Sequence, residues 1–292
     1  VLQRVELLEK AGEADVLVMT ATPIPRTLSM TIYGDLSVSV LDELPAGRQK
    51  IITRKVDVHT LPKVYDFIRD ELKAGRQAFV VYPLIDESEK IDLEAATLGY
   101  EKLGSLFSEY KVALLHGRMK AEEKDAIMEQ FSAKQIQVLV STTVIEVGID
   151  IPNATVMLIE NAERFGLAQL HQLRGRIGRG AQRGVCVLVQ RKMTPESLAR
   201  LKIVVDTTDG FKIAEEDLRL RGAGDIFGTR QSGLPALKIA NILYDGDILK
   251  EARRVAFALV KSDPHLRQGV HKKIREIVVE RYSELSGIAG IG

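Results

Sequence analysis

The chain has 292 residues, a length that predicts about two structural units. Hydrophobic residues make up 45% and charged residues 28%, which is ordinary for a globular protein and excludes disorder as the default state. The 41 basic and 40 acidic residues give a net charge of +1, which excludes a globally basic protein, so any surface for a polyanion has to be a local patch.

Cysteine content and hydropathy bear on cellular location. Cys186 is the only cysteine, which excludes an internal disulfide and a cysteine-rich zinc site. No apolar run approaches the ~18 residues of a membrane span, and no signal peptide opens the sequence. We therefore expect a buried thiol in a reducing compartment and a cytoplasmic protein.

The first 46 residues are predicted to be an incomplete domain. The chain begins at Val1 in VLQRVELLEK, a pattern typical of a helix already under way, so we expect a fragment of a longer protein. The segment 14–47 then predicts a strand, a proline-fixed turn, a helix and a second strand. Because this is too little to close a sheet, we expect the C-terminal remnant of a preceding α/β domain, with a linker at Pro45, Ala46 and Gly47.

The region 47–192 is predicted to be an α/β domain. Short β-branched runs alternate with helical periodicity, which is typical of a parallel sheet with helices on both faces. Strands are predicted at 77–84, 111–117, 136–142, 154–160 and 184–190. A helix ending near Gly75 is predicted to bury one face, formed by Leu61, Val64, Tyr65, Ile68 and Leu72. A second helix, KAEEKDAIMEQFSA, follows the turn HGRM.

The remaining 100 residues change in character. In region 193–235, Thr194 and Pro195 predict a helix start, and the pair at 209–210 predicts a turn into a second helix. The glycine-rich stretch GAGDIFGTRQSG then predicts a loop with unusual backbone angles. In region 236–292, two amphipathic helices are predicted with apolar faces turned inward. Those faces comprise Ile248, Ala252, Val255 and Leu259 in one helix and Ile274, Val278, Tyr282 and Leu285 in the other.

The segment QLRGRIGRG at 172–180 carries three arginines among three glycines. The stretch 164–192 has seven Arg or Lys residues and no Asp or Glu, so we expect negative charge from outside it. Glycine disfavours a purely structural helix but lets the backbone approach a ligand, and a guanidinium offers a fork of donors to phosphate oxygens. Gln172, Arg176 and Arg179 recur at four and three residues, which predicts one helical face. The alternative is a surface arginine cluster.

Four segments resemble motifs of superfamily 2 helicases and translocases. The pattern Q-x-x-G-R-x-G-R, formed by Gln172, Gly175, Arg176, Gly178 and Arg179, resembles motif VI. TATP at 20–23 is similar to motif III, and VSTTVIEVGIDIP at 140–152 to motif V. LLHGRM at 114–119 is similar to a segment that contacts the nucleic-acid backbone. Because the segments occur in the family's order, the joint signal is stronger than any one of them.

This resemblance implies a RecA-like domain that completes an ATP site. Arg176 and Arg179 are then expected to reach the γ-phosphate of ATP as arginine fingers, as the catalytic residues of this chain. The residues implied to bind the nucleotide are Gly148, Asp150, Gln172, Arg176 and Arg179. The residues implied to contact DNA phosphates are His116, Gly117, Arg118, Ser141, Thr142 and Thr143.

Other interpretations stay open for several of these positions. Thr142 and Thr143 are also suited to strand-end capping, and His116 is also consistent with a buried, hydrogen-bonded turn residue. His171 is expected to be a packed neighbour of motif VI, since no acid or second histidine lies at metal-ligand spacing.

The segment 209–235 narrows the resemblance. DGFKIAEEDLRLRGAGDIFGTRQSGLP is similar to the helical hairpin and loop shared by RecG-type DNA helicases and transcription-repair coupling factors, and RLRGAGDIFGTRQSGLP is nearer to the RecG type. In that family the hairpin is held to transmit nucleotide-driven motion to duplex DNA. The residues with implied coupling roles are Thr20, Thr22, Arg219, Arg221, Arg230 and Gln231.

Two expected motifs are absent from the 292 residues, namely a G-x-x-x-x-G-K-[ST] loop and a DExH segment. We therefore expect no complete ATPase site in this chain, no metal site of its own, and ATP with Mg²⁺ bound mostly by a missing first motor domain. The predicted function is the C-terminal motor half of an ATP-dependent, double-stranded DNA translocase that remodels stalled forks and recombination intermediates in the bacterial nucleoid. Its expected partners are double-stranded and branched DNA and the N-terminal part of the same protein. The alternatives are a transcription-repair coupling translocase and a non-catalytic nucleic-acid-binding module with a RecA-like fold.

Overall fold

The computed structural model describes residues 49–83, 89–142, 150–221 and 245–282, together with positions 17, 19, 39 and 41. The chain divides into two compact units. One is Asp42–Leu220, and the other combines Val1–Leu41 with Arg221–Gly292. The expected elements of region 1–46, including Thr20 and Thr22, lie outside the described residues. The predicted domain limits remain predictions.

Six parallel strands form the sheet of the larger unit, in the order β1-β6-β5-β2-β4-β3. The strands are β1 (Ile52–Val56), β2 (Gln77–Val81), β3 (Val112–Leu115), β4 (Val138–Ser141), β5 (Ala154–Ile159) and β6 (Val185–Val189). All five predicted strands are confirmed. β1 was not predicted, because an edge strand with exposed Arg54 and Lys55 lacks the continuous apolar run of a buried strand.

Six α-helices accompany this sheet among the described residues of the larger unit, the last of them ending one residue beyond its limit. They are α1 (Leu61–Lys73), α2 (Glu89–Leu106), α3 (Ala121–Ser132), α4 (Leu167–Arg174), α5 (Pro195–Asp206) and α6 (Gly210–Arg221). Two hydrophobic clusters cover opposite faces of the sheet, since alternate β2 residues enter different clusters: Phe79 and Val81 enter one, and Ala78 and Val80 the other. The α/β RecA-like fold with helices on both faces is confirmed.

The predicted face of α1 is buried as expected. Its residues Ile68 and Leu72 pack in the cluster that also contains Phe107, the residue after α2. On the other face, the rings of Phe79 and Phe131 lie 4.9 Å apart between centroids and join β2 to α3. The sequence did not lead us to expect α2, which carries two internal glycines that lower helix propensity.

Local signals define the start of α5 and α6. The Thr194 hydroxyl accepts a hydrogen bond from the Ser197 backbone N–H at 3.1 Å, with Pro195 in the first turn, as predicted. The Asp209 carboxylate accepts from the Phe211 N–H at 2.9 Å and so begins α6. On α6, Arg219 pairs with Glu216 at 2.9 Å. The predicted loop after α6, with Arg230 and Gln231, and the side chain of Arg221 lie outside the described residues.

The smaller unit contains α7 (Gly246–Ser262) and α8 (Lys272–Tyr282). Between them, the Asp263 carboxylate accepts from the backbone N–H groups of Arg267 and Gln268 and lies 2.8 Å from His271 Nδ1. The prediction that the apolar faces turn inward is wrong for the described part, since Ile248 is 65% and Val255 50% exposed. No described helix has the length and apolar character required to cross a bilayer.

Gly75 provides a test of the end of α1. Its φ is +77°, and a Cβ there meets nothing within 4 Å, so the Gly75→Ala substitution isolates the cost of a left-handed backbone. We expect a loss of about 1 kcal/mol in the free energy of unfolding, measured with urea. Gly104 is the matched control, because it is also unobstructed but lies inside α2. The Gly104→Ala substitution is expected to stabilise by about 0.5–1 kcal/mol, and equal effects at both positions would contradict the assignment.

Candidate functional site at two edges of the sheet

The arginine–glycine segment forms a loop that packs against the start of β5. α4 ends at Arg174, and the Gly178 N–H, at φ +63°, donates to the Ala154 carbonyl at 3.2 Å. A Cβ on Gly180 would lie 2.6 Å from the Pro152 carbonyl oxygen. Gly178 and Gly180 therefore let this loop approach the protein's own backbone, a role that the expectation of close ligand approach had not included.

The prediction of one helical face for Gln172, Arg176 and Arg179 is wrong. Gly175 follows the last residue of α4, and Gly178 takes a left-handed conformation, so Arg176 and Arg179 belong to the loop. Gln172 remains on the helix and is half-buried, like Arg176. Arg179 is more exposed, with its side chain 30% accessible. Arg179 is thus more exposed than Gln172 and Arg176.

Arg179 makes two contacts that leave its side chain partly accessible to solvent. Its Nη1 lies 3.2 Å from Asp150 Oδ1, and its Nε donates to the Gly175 carbonyl at 3.0 Å. The Asp150 side chain is 59% exposed. Such an exposed pair contributes only about 0–1 kcal/mol, so an incoming polyanion can displace the carboxylate. Two predicted nucleotide residues, Arg179 and Asp150, are therefore neighbours, while Gly148 lies outside the described residues.

Arg174, the first arginine of the segment, is buried. It is 2% exposed, and its Nη1 donates to the carbonyls of Val204 and Thr207 at 2.7 and 2.8 Å. Its Nη2 lies 2.9 Å from Nδ1 of half-buried His171, which agrees with the expected packed-neighbour role of that histidine. The sequence carried a signal for this burial, because Leu167, Leu170 and Arg174 fall at the spacing of one helical face.

Acidic residues outside the stretch 164–192 supply part of the missing negative charge, as expected, but they belong to the same chain. Arg191 Nε and Nη2 donate to one oxygen of Glu160, at 3.1 and 2.9 Å, and Glu160 is 1% exposed. The Glu163 carboxylate accepts from the backbone N–H groups of Arg191 and Lys192. The pKa of Tyr82 is raised, mainly by burial and secondly by the negative charge of Glu160. These contacts fix the chain after β6.

The predicted DNA-contacting residues that the structure describes lie at the carboxyl ends of β3 and β4. His116 is half-buried, while Gly117 and Arg118 are exposed. The Thr142 N–H donates to the Leu115 carbonyl at 3.2 Å, which brings the ends of the two strands together. Burial, with the Arg118 charge second, lowers the pKa of His116, so its ring is neutral at neutral pH.

Three buried polar atoms at this edge have no hydrogen-bond partner in the described part of the chain. They are His116 Nδ1, Ser141 Oγ and Thr142 Oγ1. Buried polar atoms are normally paired, so these positions suit a further donor or acceptor. Ser141 and Thr142 are fully buried, however, so direct contact with a ligand requires their cover to move. The Thr142 hydroxyl does not make the strand-end cap that was the alternative, and Thr143 lies outside the described residues.

The two groups of candidate residues occupy opposite edges of the sheet. Ser141 is in register with Val81, and Val81 with Ile159, which defines the carboxyl edge. The loop with Arg179 lies instead at Ala154, the first residue of β5. The two ends of β5, Ala154 and Ile159, are separated by roughly 16 Å at the usual rise per residue of a strand. The structure therefore brings Arg179 together with Asp150 and His116 together with Thr142, but not one pair with the other.

Two protein-family models and several known relatives match the regions of the chain that contain these candidate residues. The model of the helicase conserved C-terminal domain matches residues 60–181, and that of ATP-dependent DNA helicase RecG, domain 3, C-terminal, matches residues 207–285. An ATP-dependent DNA helicase RecG of Synechocystis sp. is 49% identical over 98% of this chain and 34% of its own length. That of Streptococcus pneumoniae is 53% identical over 87% and 38%, so the chain spans little more than a third of either relative.

A solved structure of a RecG protein is also similar to this chain. The structure of RecG bound to a three-way DNA junction is 48% identical, with a TM-score of 0.65. The aligned region covers 82% of this chain and 31% of the RecG chain in that structure.

His171 makes stability depend on pH. Burial, with the Arg174 charge second, lowers its pKa to about 4, whereas an unfolded histidine has a pKa of about 6.5. The unfolded chain therefore binds a proton first, and stability falls as the pH drops from about 6.5 towards 4. We expect the free energy of unfolding of a His171→Asn variant to fall less over this window in urea titrations. His116 contributes to the pH dependence of both proteins, so identical pH profiles would contradict the assignment to His171.

Proposed function

Because the chain belongs to the RecG-type helicases, we propose that it forms the arginine-bearing half of an ATP-driven DNA motor. The observation that carries the proposal is the position of Arg179, whose side chain is 30% accessible and lies beside the exposed Asp150 carboxylate. The loop that bears it is pinned to the start of β5 through Gly178 and Gly180. An arginine on a fixed backbone, whose carboxylate partner is exposed and weakly held, is suited to meet a phosphate presented by another domain.

In this proposal the nucleotide lies at the amino edge of the sheet. Arg176 and Arg179 contact the γ-phosphate as arginine fingers, and the residues that line the nucleotide are Gly148, Asp150 and Gln172. ATP, when bound with Mg²⁺, supplies the phosphoanhydride whose hydrolysis drives the motor, and the rest of the protein holds most of both. The exposed Arg179–Asp150 pair fits this role, because its small interaction energy lets phosphate oxygens replace the carboxylate.

DNA binds at the opposite, carboxyl edge in this proposal. The exposed residues Gly117 and Arg118 offer a backbone N–H group and a guanidinium to phosphate oxygens, beside His116. The hydroxyls of Ser141 and Thr142, and that of Thr143, provide further donors there. Supporting this, His116, Ser141 and Thr142 each hold a buried polar atom without a partner among the described residues.

One segment links the two proposed sites. The chain leaves the carboxyl edge at Thr142 and reaches Asp150 just before the start of β5 at the amino edge. Residues 140–152 therefore contribute to both sites, so a change at the nucleotide has a short covalent route to the DNA. The further coupling roles proposed from the family are those of Thr20, Thr22, Arg219, Arg221, Arg230 and Gln231.

The proposed substrates are double-stranded and branched DNA, including stalled forks and recombination intermediates, in the nucleoid of the bacterial cytoplasm. Support comes from the RecG relative whose structure holds a three-way DNA junction. A transcription-repair coupling translocase is the alternative, and assays on forked DNA and on stalled RNA polymerase distinguish the two. A non-catalytic module would not require the accessible guanidinium of Arg179.

The arginine-finger role is tested by hydrolysis. The isolated chain is expected to hydrolyse no ATP, because its 292 residues lack a phosphate-binding loop. In the full-length protein, Arg179→Ala is expected to lower DNA-stimulated hydrolysis by about 10³-fold or more while leaving DNA affinity nearly unchanged. Turnover and fluorescence anisotropy measure the two quantities. Equal loss of hydrolysis and DNA affinity would instead indicate a DNA-contact role for Arg179, and metal-dependent turnover by the isolated chain that requires Arg179 would refute the division of the site.

The DNA edge is tested by salt dependence. In the full-length protein, Arg118→Ala is expected to weaken binding of any duplex sequence and to reduce the slope of log K against log salt by about one. The control is Lys73→Ala, since Lys73 is exposed at the end of α1, near the amino edge. Anisotropy titrations over a range of salt concentrations measure both slopes. A similar change in the two variants, or none at Arg118, would place the DNA elsewhere.

A further inference from the structure

Arg174 joins two parts of the chain that the sequence separates by thirty residues. It is the last residue of α4, immediately before the loop that bears Arg176 and Arg179. Its Nη1 reaches the Val204 carbonyl in the last turn of α5 and the Thr207 carbonyl just after α5, at 2.7 and 2.8 Å. One guanidinium nitrogen therefore ties the arginine loop to the end of α5.

The environment of Arg174 compensates its charge without an ion pair. Within the described ranges no carboxylate pairs with it, and burial lowers its pKa. The carbonyls that it contacts lie at the C-terminal end of α5, where the helix dipole is negative and the last carbonyls lack partners inside the helix. Neutral His171 offers Nδ1 as a further acceptor at 2.9 Å.

The contacts of Arg174 are directional. Burying a charge is costly, and an apolar side chain of similar length fills the same space at lower cost. What only a guanidinium provides is a planar fork that holds two carbonyls and a ring nitrogen in one fixed arrangement. The end of α5 therefore cannot shift relative to α4 without breaking short, buried hydrogen bonds.

The junction that Arg174 holds leads directly into α6. Only three residues separate the end of α5 at Asp206 from the start of α6 at Gly210. One of them, Thr207, is held by Arg174, and another, Asp209, caps the first turn of α6. A displacement of the arginine loop transmitted through Arg174 therefore reaches the first turn of α6.

We propose that Arg174 is a positioning residue that makes the α5–α6 junction follow the arginine loop when Arg179 engages the nucleotide. This inference rests on the proposed function and deepens it, because it names the contact that carries movement from the nucleotide edge to the helical hairpin. Arg174 contacts neither nucleotide nor DNA in this scheme. Its role is to keep ATP hydrolysis and DNA movement in step.

The test compares Arg174→Met and Arg174→Lys in the full-length protein. Methionine keeps much of the volume without donors, and lysine keeps the charge but not the fork. Below the melting temperature of the variants, we expect DNA-stimulated ATP hydrolysis within about threefold of wild type and about tenfold fewer base pairs unwound per ATP hydrolysed for the methionine variant. The lysine variant should recover part of this ratio.

A matched control separates coupling from stability. Leu72→Ala removes a buried side chain of α1, in the hydrophobic cluster on the other face of the sheet, and should lower the melting temperature without changing the number of base pairs unwound per ATP. If the Arg174 variants also leave that ratio unchanged, or lose hydrolysis and unwinding in equal proportion, Arg174 serves packing alone and the inference is wrong. If the wild-type protein shows no DNA-stimulated hydrolysis, the proposed function fails and this inference fails with it.

If the Arg174 variants do not fold, a measurement on the unmodified protein tests the same inference. Hydrogen exchange of the amides at 204–212 is compared with and without a non-hydrolysable ATP analogue. The inference requires a change in protection there when the analogue binds. Unchanged exchange at 204–212, together with altered exchange in the loop 175–180, would overturn it.

Discussion

The constraint on which the rest of the structure depends is that all six strands of the sheet run parallel. Since all strands run in one direction, every strand ends at the same edge and every return connection has to cross to the other. His116 and Thr142 therefore meet at the carboxyl edge, and Asp150 and Arg179 meet at the amino edge. A protein of this kind can carry two separate sites on one rigid sheet, connected by the segments that run between the edges.

The glycines and arginines of the loop have divided roles that their composition does not reveal. Gly178 and Gly180 permit backbone-to-backbone packing, which fixes the loop on the segment before β5. Arg174 turns into the core, and Arg179 turns to solvent. Fixing the backbone matters for the exposed arginine, because a guanidinium on a rigid support loses less freedom when it binds an anion.

The strands and the helix faces of the larger unit followed from local patterns, because buried parallel strands are continuous apolar runs. Strand β1 was not predicted because one of its faces is polar. The prediction of one helical face for Arg176 and Arg179 was wrong because the helix ends before Gly175. The exposed apolar side chains of α7, such as Ile248, were expected to be buried, since periodicity identifies an apolar face but not what covers it. The burial of Arg174 follows from its spacing to Leu167 and Leu170, but its partners do not, because they are main-chain carbonyls and leave no trace in a sequence.

Two arginines five residues apart illustrate how burial sets the strength of a contact. The pair of Arg179 with Asp150 is exposed and contributes at most about 1 kcal/mol, whereas hydrogen bonds from a charged donor contribute about 1.5–3 kcal/mol each. A ligand that displaces Asp150 therefore breaks the weak contact first and leaves those of Arg174 in place. The loop can exchange its outer partner while it stays attached to the end of α5. An exchangeable contact and a permanent one on the same short segment are what a moving part requires.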